Sequence, residues 1–226
     1  MAIQPYNLIV TAHPDDEALF FSGLILQNRT RPWTVVCVTD GNADGRGSER
    51  TEELKSACEQ LGVTDLQQWR FPDLFEKRLS TSDLEAKLES LSRPEAVYTH
   101  GILGEYGHPH HQDVSYSVHQ TFSNITTVRS LAYNIFPDLS IALTEHQFQK
   151  KSKIITEIYQ KETLRFLNFI PILAVEGFCN VNLSEVTHIY DFFTGKCELN
   201  LSCLEKYNHL GPYLQQQKQI LNRRPF

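Results

Sequence analysis

Short continuous apolar runs alternate with stretches in which apolar residues recur every three or four positions. Asn7 to Ala12 is such a run, follows Pro5, and predicts a buried strand. From Asp15 onward, Ala18, Leu19, Phe21, Leu24, Ile25 and Leu26 fall at helical spacing, with Pro14 at the place a helix start favours. Trp33 to Thr39 predicts a second strand. Ser48 to Leu61 reads as a helix with Ser48 and Thr51 as candidate caps and Gly62 as its stop. A third strand over Leu66 to Phe71, a helix containing Leu84 to Leu91, a fourth strand over Ala96 to His100 and a helix over Pro109 to Thr121 continue the alternation. The pattern predicts an α/β, Rossmann-like fold: a mostly parallel sheet flanked by helices and joined by right-handed crossovers.

Beyond about residue 125 the period loosens, which predicts a C-terminal portion that adds antiparallel strands. Val128 to Ile135 reads as a strand and His146 to Arg165 as a helix. Val175 to Leu183 with Val186 to Phe193 reads as a late antiparallel pair, and Gln215 to Phe226 as a final helix and loose end. One domain over 1–226 accommodates all of this, with a core over about 6–180 and an appendage over about 181–226.

The candidate chemistry sits where strands hand over to helices, the ligand-binding edge of an open α/β sheet. His13-Pro14-Asp15-Asp16 follows the first strand; Gly104 to Asp113, rich in histidine, follows the fourth. Asp15 and Asp16 are also ordinary helix-capping residues, so the first cluster alone is ambiguous. The second cluster decides for a site: His108 and His111, three apart in a first helical turn, can face one side, and imidazole suits zinc, iron, copper and nickel. The glycine-rich loop Asp40 to Gly47 lacks a dinucleotide fingerprint and reads equally as a pocket-bordering loop or a connector. His100 stands at a strand end beside the second cluster, and Asp73 and Glu176 at sheet edges, where each either lines the pocket or caps a loop.

Composition narrows the classes. The 226 residues are 41% apolar with no apolar run of 18, so no membrane span is expected. The N-terminus shows no charged segment followed by an apolar one, and a signal peptide is not expected. Net charge −6 without a basic stripe argues against nucleic acid. Five scattered cysteines without a C-x-x-C suit a reducing, cytoplasmic compartment.

Taken together, His13-Pro14-Asp15-Asp16-Glu17 and, about a hundred residues later, Tyr106-Gly107-His108-Pro109-x-His111 resemble the N-acetylglucosaminyl-phosphatidylinositol deacetylase family, also called LmbE-like. Arg50 to Leu54, Phe71-Pro72-Asp73, Val97 to His100 and Glu176-Gly177-Phe178 fall in the same order, so the resemblance spans about 6–180. It implies a zinc-dependent hydrolase that removes an acyl group, usually acetyl, from a sugar-like amide. Carried over by position, His13, Asp16 and His111 would hold the metal, Asp15 would be the general base, and His108 would assist at the oxyanion or the leaving amine. Tyr106 aligns with a tyrosine that touches the tetrahedral intermediate in some members, Arg50 with a substrate-binding arginine, and Asp73 is a further substrate-side candidate. The family's second motif usually reads His-Pro-Asp-His, whereas this chain carries His110 in the aspartate's place. A histidine there, lacking a full negative charge, predicts a lower pKa for His108.

Two histidines and one carboxylate leave a zinc site open for water, the pattern of catalytic zinc; Fe2+ or Ni2+ also suit it. The first reading is therefore a metal-dependent N-deacetylase acting on a small N-acetylglucosamine-containing molecule or saccharide, with a homo-oligomer compatible. Its rivals are an amidase for a larger acyl amide, a phosphoesterase, which calls for two metals and more carboxylates, and a metal-dependent sugar-binding protein, for which Asp15 has no use.

Overall fold

The computed structural model describes residues 5–74, 77–165 and 172–217. Its elements are β1 (Asn7–Thr11), α1 (Asp16–Phe20), α2 (Ser22–Gln27), β2 (Trp33–Thr39), α3 (Gly47–Leu61), β3 (Asp65–Phe71), α4 (Thr81–Glu89), β4 (Ala96–Thr99), α5 (Pro109–Phe122) and β5 (Thr127–Leu131), followed by β6 (Leu139–Ala142), α6 (Glu145–Lys153), a π-helical turn (Ile154–Ile158), α7 (Gln160–Arg165), β7 (Val175–Cys179), α8 (Leu183–Phe193) and α9 (Gly211–Gln217).

One seven-stranded sheet runs in the order β3-β2-β1-β4-β5-β7-β6. The first five of these pair in parallel, and β7 lies antiparallel between β5 and β6. β1 and β2 are buried along their whole length, which is why they read as unbroken apolar runs. Leu8, Ile9, Val10, Val35 and Val36 are fully enclosed, each worth about 1.5–3 kcal/mol on burial. The chain leaves β1 toward β2 and β3, then returns to place β4 on the other side of β1. This reversal is a topological switch point, and the crevice outside its carboxyl ends is the predicted ligand position. Among the described residues no helix is long and apolar enough to cross a membrane.

Several expectations are corrected. The late antiparallel pair does not form: Val186 to Phe193 lies within α8. Its β-branched and aromatic residues suggest a strand, but Val186, Ile189 and Tyr190 share one buried helical face. β7 pairs instead with β5 and with the unanticipated β6, an edge strand of alternating burial. Val128 to Ile135 is extended only through Leu131. Neither Ser48 nor Thr51 caps α3; Asn42 Oδ1 accepts the Gly47 amide at 2.9 Å instead, which makes the glycine-rich loop its own cap. Of the proposed tail, α9 ends at Gln217, and 218–226 lie outside the described residues.

The predicted helix from 146 begins at a Thr144–Gln147 capping box and is interrupted by the π turn over Ile154–Ile158. The extra residue in that turn rotates the following face, so that Ile154, Ile155 and Tyr159 are all buried against the sheet side bearing α1. Helix α5 is docked by Asp113, which accepts from Arg78 (2.6 Å), the Leu79 amide (2.8 Å) and the Tyr190 hydroxyl (2.8 Å).

Candidate active site

The register Val10↔Thr99 sets the ends of β1 and β4 side by side, so His13 and His100 emerge on the same crevice. The Ala12 amide donates to His100 Nε2 at 3.0 Å, stitching the two strand ends together. From α5, His111 enters the same space, and its Nε2 lies 3.1 Å from His13 Nδ1. Asp16 completes the group, with its carboxylate oxygens 3.6 Å from His13 Nδ1 and 3.5 Å from His111 Nε2. All three residues are buried.

Each is held by a partner. Asp16 accepts the His13 amide at 2.7 Å. His111 Nδ1 donates to Glu105 Oε2 at 2.5 Å, which leaves its Nε2 lone pair facing His13 and Asp16. Burial, with His100 beside it, pushes His111 down to about 4, so the ring is neutral at physiological pH. Glu105 also accepts from His100 Nδ1 (3.0 Å) and the Gly101 amide (2.8 Å). Burial opposes its charge, but the imidazoles hold the carboxyl down at about 2. The loop that delivers Glu105 turns on Gly104 at φ 74, where a Cβ would stand 2.5 Å from the His108 carbonyl oxygen. Sequence reasoning missed Glu105. Its only signal is position: an acid inside the histidine cluster, directly after that glycine.

Asp15 is not a cap. It sits at φ 112 with no side-chain capping bond, in a region where a non-glycine residue is strained. Glu17 Oε2 accepts its amide at 3.1 Å. Arg50 donates to Asp15 Oδ2 at 3.1 Å and to the Pro14 carbonyl at 2.6 Å. Burial raises the Asp15 carboxyl to about 7, against the pull of Arg50. Arg50, expected on the substrate side, is only 5% exposed and points inward at Asp15. Behind it, Glu162 lies 3.7 Å from Arg50 Nε and 2.6 Å from Arg46. Glu17 and Glu162 also escaped the sequence reading, because their partners come from remote segments.

The ring of His108 packs edge-on at 4.5 Å from His13 and stacks at 4.9 Å on His111. Its Nδ1 accepts the His110 amide at 3.2 Å, so the neutral ring carries its proton on Nε2. Burial, with the neighbouring imidazoles, holds His108 well below the usual histidine range. No hydrogen bond joins the side chains of His110 and His108. His110 Nδ1 instead faces His13 Nε2 at 3.2 Å and Asp73 Oδ1 at 3.4 Å, and His110 Nε2 donates to the Lys77 carbonyl at 2.8 Å. Asp73 is thereby part of the cluster. Tyr106, 44% exposed, rims it 5.3 Å from the His111 ring. Glu176 does not join: it accepts the Gly23 (2.7 Å) and Leu24 (2.9 Å) amides and Lys151 (2.8 Å) at the start of α2.

The ligand atoms of His13, Asp16 and His111 all lie within 4.8 Å of one another. Two imidazole nitrogens and one carboxylate at edges of 3.1–3.6 Å fit a tetrahedral divalent ion, whose ligand–ligand edge is about 3.4 Å for Zn–N near 2.1 Å. Such a set leaves one position open.

Known proteins resemble this chain in sequence and in fold. The chain is 29% identical over 174 residues to the uncharacterized protein L374 of Acanthamoeba polyphaga mimivirus, covering 68% of this chain and 75% of that one. It is 30% identical over 151 residues to 1D-myo-inositol 2-acetamido-2-deoxy-alpha-D-glucopyranoside deacetylase 1 of Saccharopolyspora erythraea, covering 47% of this chain and only half of that enzyme. Its fold is similar to that of N,N'-diacetylchitobiose deacetylase from Pyrococcus horikoshii, with TM-score 0.59 and 19% identity over 80% of this chain and 85% of that one. The model of the GlcNAc-PI de-N-acetylase family matches residues 8–122, which carry both strand-end clusters, and the chain belongs to that family, PIG-L.

Proposed function

We propose that this chain is a metal-dependent hydrolase that removes the acetyl group from the nitrogen of an N-acetylglucosamine-containing small molecule or saccharide. The observation that carries the reading is Asp15, a strained carboxylate with its pKa raised toward neutrality, set beside the three-ligand group but outside it. A capping or purely structural aspartate has no need of that combination. The deacetylases among the similar proteins support the choice of an acetylated amino sugar.

In this reading His13, Asp16 and His111 hold zinc, which would supply Lewis-acid polarisation of the amide carbonyl and of a water. Asp15 takes the proton from the attacking water, fixed for that step by Arg50 on its carboxylate and Glu17 on its amide. His108, proton on Nε2, donates a hydrogen bond to the oxyanion, the kind of contact whose loss costs about 3–4 kcal/mol in well-studied sites. His108 is held too low to take up a second proton, so Asp15 returns the proton to the departing amine. Tyr106 and Asp73 border the sugar. The five unpaired cysteines support a cytoplasmic placement.

The test is release of primary amine, read with fluorescamine, from a panel of N-acetyl sugars incubated with the zinc-loaded protein. Amine release that disappears with Asp15→Ala supports the reading. No release from any N-acetyl sugar, by protein shown to hold zinc, would overturn it.

A further inference from the structure

His13 presents both ring nitrogens to potential ligands. Its Nδ1 faces Asp16 and His111. Its Nε2 faces a second group: His110 Nδ1 at 3.2 Å and Asp73 Oδ1 at 3.6 Å, with 3.4 Å between those two. These edges match the roughly 3.4 Å edge of a zinc tetrahedron as well as those of the first group do. His108 also brings a ring nitrogen within 4.8 Å of the His13 and His110 ligand atoms. His13, His110 and Asp73 are each no more than 6% exposed. The tautomer of His110 is set from outside, because Nε2–H donates to the Lys77 carbonyl and Nδ1 keeps its lone pair toward the cluster. That outer hydrogen bond is the usual companion of a metal-ligating histidine.

We propose a second divalent-cation site at His110 Nδ1, Asp73 Oδ1 and His13 Nε2, with His13 bridging it to the first. The feature belongs to this chain's own sequence, since it depends on histidine at 110. With Zn–N of about 2.0–2.1 Å on each nitrogen of one imidazole, the two ions stand about 6 Å apart. Binding at the second site displaces the proton from His13 Nε2, so it follows the first site in affinity. Asp73 and His108 border the substrate in the function proposed above, and a cation on them is therefore inhibitory. That consequence rests on the deacetylase reading; the site itself does not.

The experiment is equilibrium dialysis of the metal-free full chain against rising Zn2+, with zinc counted per chain by elemental analysis and amine release assayed on the same samples. Wild type takes up two equivalents, and activity rises with the first and falls with the second. Asp73→Ala and His110→Ala, on separate elements and each checked for folding by circular dichroism, take up one equivalent. Saturation of wild type at one equivalent, or two equivalents retained in both variants, overturns the second site while leaving the proposed function standing. Two equivalents bound without loss of activity overturns the inhibitory role. Failure to bind any zinc counts against the proposed function and the second site alike.

Discussion

The Tyr159 hydroxyl donates to Glu17 Oε1 at 2.6 Å across 142 residues of chain. The other oxygen of Glu17 accepts the amide of Asp15, so a residue delivered by the π turn supports the strained backbone of the proposed base. Burial raises Glu17 to about 8, which shows how enclosed this support is. Tyr159→Phe leaves a buried acceptor without its donor, at a cost of about 1–3 kcal/mol. The expected outcome is a lower urea midpoint together with a fall in kcat that exceeds any change in KM. A raised KM with kcat unchanged would show that Tyr159 serves substrate binding rather than the placement of Asp15.

Asp15 and Asp16 are adjacent yet have different roles in the proposed function, and substitution separates them. Asp15→Asn keeps the Arg50 contact site and all three ligands, so zinc content stays near wild type while kcat drops by about 10²–10⁴-fold, the usual contribution of a general base. Asp16→Asn, His13→Ala and His111→Ala each remove a ligand, and zinc is lost on dialysis. Chelation of the wild type should abolish activity, and added Zn2+ should restore it. Zinc retained by Asp16→Asn but lost by Asp15→Asn would reverse the two assignments.

Glu105 touches His111 and His100 but none of the first-group ligand positions on His13 or Asp16. Glu105→Gln keeps the size and loses the charge that fixes the His111 tautomer. Zinc affinity of the metal-free protein should fall about 10–100-fold, as for other outer partners of histidine ligands. Unchanged affinity in a competition titration would show that His111 is oriented by packing alone.

The parallel half of the sheet was readable because β1 and β2 are buried along their whole length and its helices keep one apolar stripe. The meeting of His13, Asp16 and His111 was readable for a related reason: two short motifs at two strand ends must meet at a switch point. What escaped depends on contacts between distant segments. Nothing near Arg50 in the sequence tells that its guanidinium turns inward onto Asp15, and nothing near Glu17 announces Tyr159. Val186 to Phe193 misled because residue type favoured a strand while tertiary burial selected the helical face. The four-residue β6, half exposed, carries too short a pattern to register at all.

His119 offers a pH test remote from the ligand cluster. It is fully buried in α5; its Nδ1–H donates to the Ser115 carbonyl at 2.7 Å, and its Nε2 pairs with the Ser130 hydroxyl at 3.2 Å. The neutral ring satisfies both partners, and burial pushes the group down from 6.5 to about 4. Between those two values the unfolded chain binds the proton and the folded chain does not, so stability falls as pH drops through this window and is fully present above it. For a single group with these two pKa values the loss between pH 7 and pH 5 is about 2 kcal/mol. His119→Gln keeps a donor and an acceptor but does not titrate. Its unfolding free energy, measured by urea at both pH values on metal-free protein, should fall less than that of wild type by about that amount. His111 shifts in the same direction, but it is common to both proteins and cancels in the comparison. Parallel losses in the two proteins would mean that His119 is already charged in the fold.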